Sequence, residues 1–145
     1  MSMSDNAPIP RIGVGTIIRR GNDVLLLRRQ NVHGAGTWSP PGGYYEYGET
    51  PEECAARETI EETGVTISNI RFLGVTNDFF PENKKHFITL WMHAEYASGE
   101  AGVNAPEEST EVKWFPHDEL PEPLFLCFLN LINGPAYVEG HWFNR

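Results

Sequence analysis

The sequence is poor in three features that would each have placed it in a large class of proteins. Its two cysteines, Cys54 and Cys127, are too few for a disulfide framework. Lysine and arginine number 11 against 20 acidic residues, and the net charge of −9 argues against polynucleotides and anionic membranes as partners. Apolar stretches of about 18 residues are missing, so we expect no membrane-spanning helix.

The opening segment MSMSDNAPIP has neither a basic region nor an apolar run. We therefore expect no secretory signal and a cytoplasmic location. The length of 145 residues, with 40% hydrophobic and 12% aromatic residues, is typical of one globular domain with a substantial core. We expect residues 1–9 to form a flexible tail and residues 10–145 to form a single domain.

The stretch 43–65, GYYEYGETPEECAARETIEETGV, is the most informative part of the chain. Thr50 followed by Pro51 predicts a helix start, and Glu53 completes a capping-box pattern. Gly64 is a natural helix stop. The sequence therefore predicts a helix over residues 51–63.

This predicted helix concentrates carboxylates. At helical spacing Glu58, Glu61 and Glu62 share one face, and neighbouring side chains on it lie about 5–6 Å apart. Oxygen-rich clusters of this kind suit Mg²⁺ or Mn²⁺ better than zinc. Without a cation, mutual repulsion is expected to raise the pKa of at least one carboxyl group. The packing face is predicted to consist of Ala56, Thr59, Ile60 and Thr63.

The rest of the chain is rich in strand-like runs separated by turn residues. A hairpin turn is predicted at residues 21–23 and a loop at residues 98–109. A short helix is expected to begin at residue 117, and an apolar helix is expected over residues 123–132. The predicted strands are residues 12–19, 24–29, 66–79, 85–96 and 112–115.

The acidic stretch resembles the Nudix box, G-x5-E-x7-R-E-U-x-E-E-x-G-U, in which U is a bulky aliphatic residue. Thr59 stands at the first U position, where its β-branched side chain is expected to pack as valine would. The resemblance implies an α/β (α+β) fold, the Nudix α/β/α sandwich with a central mixed β-sheet. The matching residues are Gly43, Glu49, Arg57, Glu58, Glu61, Glu62, Gly64 and Val65.

The resemblance implies a Mg²⁺-dependent hydrolase that cleaves the diphosphate bridge of small nucleotides. Mn²⁺ is an alternative metal. The first hypothesis is a MutT-like enzyme that converts normal or modified nucleoside triphosphates to monophosphate and diphosphate. The second is an ADP-ribose diphosphatase giving AMP and ribose 5-phosphate, which a proline sixteen residues after the box, Pro81, weakly favours. The third is a non-catalytic nucleotide-binding module, although such modules usually lose box carboxylates.

The resemblance also implies roles for individual residues. Arg57 is expected to orient the carboxylates through Glu49, and Glu46 either supports the metal site or pairs with Arg28 or Arg29. The general base stays open among Glu49, Glu58, Glu61 and the loop residues Glu107, Glu108 and Glu111. The implied catalytic residues are Glu49, Arg57, Glu58 and Glu61; the metal ligands Glu58, Glu61, Glu62 and Gly42; and the substrate contacts Trp38, Gly43, Glu46 and Phe79.

The partner class expected from these residues is a small nucleotide rather than a nucleic-acid polymer or a membrane. A homodimer is compatible with the sequence, because the apolar run at residues 124–129 suits either a core or an interface.

Overall fold

The protein is described by a computed structural model that covers residues 8–30, 33–134, 137–138 and 141–144, with only the backbone described at 137–138. Most of the expected tail, residues 1–7, lies outside these ranges. The strands are β1 Arg11–Arg20, β2 Asp23–Arg29, β3 Trp38–Ser39, β4 Gly42–Tyr44, β5 Thr66–Phe80, β6 Lys85–Ser98, β7 Ser109–Pro116 and β8 Tyr137–Val138. The helices are α1 Pro51–Thr63 and α2 Leu126–Asn133, and a 3₁₀ turn covers Pro81–Asn83.

One mixed sheet organises the described chain. Its order is β3-β2-β1-β6-β5-β8, with β4 paired to β1 and β7 paired to β2. β1 and β6 run parallel from Arg11↔Phe87 to Arg19↔Glu95, whereas the other pairs are antiparallel. β1 pairs with β2 only next to the hairpin turn, and β4 takes over as its partner at residues 13–15. The sheet therefore splits at this point, and the gap becomes a cavity.

The two helices cover opposite faces of the sheet. Side chains alternate between faces along a strand, and neighbours such as Ile17 and Ile18 belong to two separate hydrophobic clusters. The first cluster contains Phe128 and Leu131 of α2, and the second contains Cys54 and Ala55 of α1. The predicted α/β/α sandwich with a central mixed sheet is thus confirmed.

One helix prediction near the C-terminal end is wrong, and the other is confirmed with a later start. Residues 117–119 form a turn rather than a helix, and α2 begins at Leu126 instead of at residue 123. The preceding segment is extended because it bonds β3: the Trp38 amide donates to Pro123 O, and the Phe125 amide donates to Trp38 O. The apolar run contributes Phe125, Cys127 and Phe128 to the core. A homodimer stays a prediction.

None of the helices in the described ranges is long and apolar enough to cross a membrane.

Candidate active site

Helix α1 is fixed at both ends by the residues that the sequence singled out. The Thr50 side chain accepts from the Glu53 amide at 3.1 Å, and the Glu53 carboxylate accepts from the Thr50 amide at 3.0 Å. At the other end Gly64 adopts φ 77°, a conformation that suits glycine, and its amide donates to Ile60 O. The bounds 51–63 are as predicted, so the acidic residues are held on a rigid element.

The face of α1 that packs differs from the prediction. Ile60 is 47% exposed, whereas Glu62 is only 7% exposed and lies on the buried side with Thr59 and Thr63. The packing face is therefore shifted along the helix surface, with Cys54 and Ala55 replacing Ile60. The reason is that Glu62 points into the gap where the sheet splits, and its carboxylate accepts from the Gly42 amide at 2.8 Å.

Arg57 connects the carboxylates of the box. Its guanidinium contacts Glu49 in a two-point arrangement, with Nε to Oε2 at 3.0 Å and Nη2 to Oε1 at 2.8 Å. Nη1 donates to Glu58 Oε1 at 2.8 Å and to Glu61 Oε2 at 3.3 Å. Glu46 lies 3.7 Å from Nη2, so it pairs with Arg57 rather than with Arg28 or Arg29. One cation thus orders four acidic side chains.

Two glycines on β4 make room for these acids. A Cβ on Gly43 would lie 2.5 Å from the Glu58 carboxyl carbon. A Cβ on Gly42 would collide with the Val14 carbonyl oxygen of β1, its neighbour in the sheet. Only glycine therefore lets β4 approach both Glu58 and β1 so closely.

A cavity of about 480 Å³ opens where the sheet splits. One wall is acidic and consists of Glu58 and Glu62 of α1 and Glu108 of the loop before β7. This arrangement separates the loop glutamates that the sequence left open. Glu111 bonds Arg28 at 3.4 Å and Lys113 at 3.0 Å on the sheet surface, and Glu107 is not among the lining residues.

Backbone contacts hold Glu108 beside the helix. The Asn104 side chain donates to Ile60 O and Glu61 O at 3.1 Å each, and its amide donates to Glu62 O at 3.2 Å. The bonds to Glu61 O and Glu62 O satisfy carbonyls that the end of a helix otherwise leaves unpaired, whereas Ile60 O also accepts from the Gly64 amide. The Glu108 carbonyl accepts from the Gln30 amide at 2.8 Å. The loop is therefore tied to both α1 and β2.

Burial outweighs the nearby positive charge at the acidic wall, where Arg57 contacts Glu58 and Arg29 lies near Glu62. Burial raises the pKa of Glu58 to about 7, and Arg57 opposes this rise only in part. Burial also raises the pKa of Glu62 well above its usual range, opposed by the Gly42 amide and reinforced by Glu58 and Glu108. By contrast, the hydrogen bonds from Arg57 lower the pKa of Glu49 to about 2. A rise in carboxyl pKa is present at two positions, but burial is its main cause and the predicted mutual repulsion a smaller one.

These pKa shifts predict an inverted pH dependence of stability in metal-free protein. A carboxyl whose pKa rises on folding binds protons more tightly in the folded state, so stability falls as pH rises from about 4.5 to about 7. Glu49 acts oppositely, but only as pH falls toward about 2. Burial lowers the pKa of His33 to about 4 and also lowers that of His93, and both shifts act in the opposite direction in this window. The glutamates are therefore isolated by comparison with Glu62→Gln: calorimetry in chelator is expected to show wild-type protein losing more stability than the variant between about pH 5 and about pH 8.

Added Mg²⁺ is expected to reduce this difference by binding the ionised carboxylates. Glu62→Gln should show a weaker decline with pH in chelator, because one of the two groups no longer titrates. The same pH dependence of stability in wild-type protein and Glu62→Gln in chelator would contradict the shift assigned to Glu62.

A second group of lining residues, named the cationic and aromatic wall, carries positive charge and rings. Arg29 and Lys85 supply positive charge, and the lining rings include Tyr44, Phe87 and Phe125. The Arg29 guanidinium stacks on Phe125 at 3.9 Å from the ring centroid. Sequence reasoning did not single out Arg29, Lys85 or Phe125, although glycines alternating within β1, Gly13 and Gly15, were a usable signal of close approach at this place.

Eight of the residues predicted for the site fall into two groups, and Trp38 and Phe79 belong to neither. Gly42, Gly43, Glu58 and Glu62 line the cavity. Glu46, Glu49, Arg57 and Glu61 form the ion-pair cluster behind it. Trp38 is 6% exposed and packs against Phe115, while Phe79 is 57% exposed and borders a separate small cavity with Pro81 and His86. Substrate contacts by Trp38 and Phe79 stay predictions.

The donor set of the acidic wall fits a hard divalent cation. Glu58 and Glu62 offer carboxylate oxygens, and burial raises the pKa of both despite the contacts from Arg57 and the Gly42 amide. Within the described ranges no three His, Cys, Asp or Glu side chains converge on one point. This is compatible with Mg²⁺, which usually takes one or two carboxylates and completes its shell with water and substrate phosphates. Glu61 is turned toward Arg57 instead.

Comparison with known proteins decides the family. The model of the NUDIX domain matches residues 9–127. The chain belongs to the Nudix family. Hydrolases of this family generally use divalent cations.

Its Nudix relatives include the NAD-capped RNA hydrolase NudC of Pseudomonas aeruginosa, 39% identical over 114 residues, and that of Stutzerimonas stutzeri, 41% identical over 114 residues. Each match covers 77% of this chain but 39% of the relative. The chain thus spans about two fifths of the length of the curated relatives it matches.

Two solved Nudix structures match a larger share of this chain, and of their own length, than the NudC relatives do. The MutT NUDIX hydrolase from Burkholderia pseudomallei is 33% identical, with a TM-score of 0.77 over 81% of this chain and 91% of that one. The NUDIX domain of Shewanella oneidensis NrtR, solved with ADP ribose, has a TM-score of 0.71 over 87% of this chain and 86% of that one, but only 24% identity, and it shows the fold alone.

Proposed function

We propose that this Nudix hydrolase cleaves the diphosphate bridge of a small nucleotide, and that its substrates are normal or modified nucleoside triphosphates, converted to monophosphate and diphosphate. The observation that carries the proposal is the mixed lining of the cavity. Glu58 and Glu62 line one space together with Arg29, Lys85 and aromatic rings. Aromatic rings suit a nucleobase, and cations suit phosphates.

Each wall then has its own task. When bound, Mg²⁺ would neutralise phosphate oxygens and lower the pKa of a coordinated water, and Glu58, Glu62 and the backbone of Gly42 would hold it. Arg57 keeps Glu58 in place through its bond to Oε1 and is itself anchored by Glu49. Arg29 and Lys85 would bind phosphate oxygens that the metal does not reach.

Glu108 is the best-placed group to take the proton of the attacking water. It lines the cavity beside Glu58 and Glu62, and the Asn104 contacts fix its loop. As water adds to phosphorus, its proton passes to the Glu108 carboxylate, and the P–O bond of the bridge breaks toward the departing phosphate. Glu49, in contrast, is engaged at both oxygens by Arg57.

Glu108→Gln is therefore expected to lower kcat by about a hundredfold or more with little change in KM, because general-base catalysis contributes about 10²–10⁴-fold. Steady-state kinetics with the best nucleotide would measure both constants. Glu107→Gln is the matched control, since Glu107 is next to Glu108 in sequence but its side chain does not line the cavity. Equal losses in the two variants would remove Glu108 from this role.

A second candidate substrate is a dinucleotide diphosphate of the NAD type. The NudC relatives, at 39% identity, carry NAD-capped RNA in their name, which favours this class. The net charge of −9 favours the small dinucleotide over a capped polymer. Cleavage would give two monophosphates instead of monophosphate and diphosphate.

A substrate panel with Mg²⁺ separates these possibilities. It would contain normal and modified nucleoside triphosphates, NADH, ADP-ribose, dinucleoside polyphosphates and a short NAD-capped RNA, with products identified by chromatography. Highest kcat/KM on a triphosphate, with diphosphate released, is the expected result. Preference for NADH or ADP-ribose would move the substrate to the second class. The absence of any metal-dependent turnover sensitive to Glu62→Gln would favour a binding module.

A further inference from the structure

A buried carboxylate that belongs to none of the box residues lies behind the cationic and aromatic wall. Asp78 on β5 is 0% exposed. Its Oδ2 accepts from Thr89 Oγ1 at 2.5 Å and from Thr76 Oγ1 at 3.0 Å, and its Oδ1 accepts from Asn130 Nδ2 at 2.9 Å. Within the described residues no ion pair involves Asp78. Neutral donors alone therefore stabilise it.

The threonine hydroxyls are the donors in their bonds to Asp78. Each donates to Oδ2, and a hydroxyl has a single proton to donate. Thr76 Oγ1 also accepts from Trp91 Nε1 at 2.9 Å. Thr89 therefore has only lone pairs left.

Thr89 presents those lone pairs to the cavity, which it lines. It pairs with Gly13 across the parallel strands β1 and β6. A Cβ on Gly13 would lie 3.9 Å from Thr89 Oγ1, so the hydroxyl oxygen borders the space that the missing side chain leaves open. Trp91 and Cys127 line the cavity nearby. The floor thus offers an acceptor among apolar groups.

We propose that Asp78 is a positioning residue for substrate selection: it holds Thr89 as a pure hydrogen-bond acceptor, so that the cavity prefers nucleobases with an exocyclic amino group over those with a carbonyl at the same position. The proposal rests on the proposed function in one respect, namely that the nucleoside enters this cavity. An exocyclic group lies at the edge of the base remote from the sugar, and it is the first to reach the floor.

Asp78→Asn provides a directional test, because the variant side chain is nearly isosteric. Asn130 donates to Oδ1 and so requires an oxygen there, which places the new amide nitrogen at the Oδ2 position facing Thr89. That nitrogen donates to Thr89 Oγ1, and the threonine hydroxyl becomes free to donate into the cavity. The preference for amino over carbonyl bases is then expected to be lost or reversed.

Dissociation constants measured by calorimetry would test this without dependence on turnover. The ligands are the matched pairs AMP and IMP, CMP and UMP, and GMP and XMP. Wild-type protein is expected to bind the amino member of at least one pair about tenfold more tightly, since a site built to pair one polar group rejects its mismatch. In Asp78→Asn that ratio should fall to about one or below.

Two further variants keep the test independent of folding. Thr76→Val removes a bond to the same carboxylate, but Thr76 does not line the cavity. The ratio of dissociation constants within each nucleotide pair should therefore stay that of wild type. Thr89→Val removes the acceptor and should abolish the preference without reversing it. Unchanged ratios in Asp78→Asn, or equal weakening of both members in all three variants, would overturn the proposal. So would a wild-type protein that discriminates no pair.

Failure of the proposed function gives a different result. A protein that hydrolyses no nucleotide yet shows the predicted binding ratios would retain the selection device and lose the enzymatic assignment. Metal-dependent turnover with ratios that are insensitive to Asp78→Asn would do the reverse.

Discussion

Glu62→Gln is expected to lower kcat by about a thousandfold or more, because a metal contributes several kcal/mol of charge stabilisation and each 1.36 kcal/mol is tenfold in rate. The glutamine oxygen can still accept the 2.8 Å bond from the Gly42 amide, so the backbone should stay in place. In chelator the variant should unfold at the same or a higher temperature, because a buried amide costs less than an unpaired buried carboxylate.

Kinetics with saturating Mg²⁺ and calorimetric titration with Mg²⁺ alone would measure this effect. Glu52→Gln is the control, since Glu52 lies exposed in the first turn of the same helix and its substitution removes an equal charge. A Glu62→Gln enzyme within about tenfold of wild type would show that Glu62 holds neither metal nor substrate.

Gly43→Ala is expected to lower kcat by about a hundredfold, because displacing a catalytic group by about 1 Å costs that much. The added methyl would lie 2.5 Å from the Glu58 carboxyl carbon, and Glu58 is held on its other side by Arg57 at 2.8 Å. The carboxylate must therefore leave its position in the cavity wall. The unfolding temperature should change much less than the rate.

Gly102→Ala is a suitable comparison, since a Cβ there has no atom within 4 Å. It should leave both kcat and the unfolding temperature close to wild type. If Gly43→Ala and Gly102→Ala behaved alike, Glu58 would have enough freedom to move without consequence, and its assigned position would be wrong.

Local signals accounted for the parts of the site that lie close together in sequence. Thr50, Glu53 and Gly64 define the ends of α1, since caps depend on hydrogen bonds within a few residues. The pairing of Arg57 with Glu49 follows from the box spacing, and it is present at 2.8 Å. The family and the sandwich followed from the same short stretch.

The predictions that were wrong, and the site residues that were missed, depended on tertiary packing. Helical periodicity alone put Ile60 inside and treated Glu62 as exposed, because it contains no information about where the sheet splits. Arg29 and Lys85 are far apart in the chain and meet only through the register of β1, β2 and β6. Glu107, Glu108 and Glu111 look alike in sequence, and only the Asn104 contacts separate them in space.

The carboxylates and the aromatic lining residues of the active site are supported by different hydrophobic clusters. Helix α1, with Glu58 and Glu62, packs on one cluster, whereas Phe87, Trp91 and Phe125 of the ligand wall belong to the other. Substitutions that enlarge or reshape the second cluster can therefore accumulate without moving the carboxylates. Divergent evolution could change the molecule that is recognised while the hydrolytic chemistry is inherited intact, and the same separation makes that cluster the place to begin laboratory selection for new substrates.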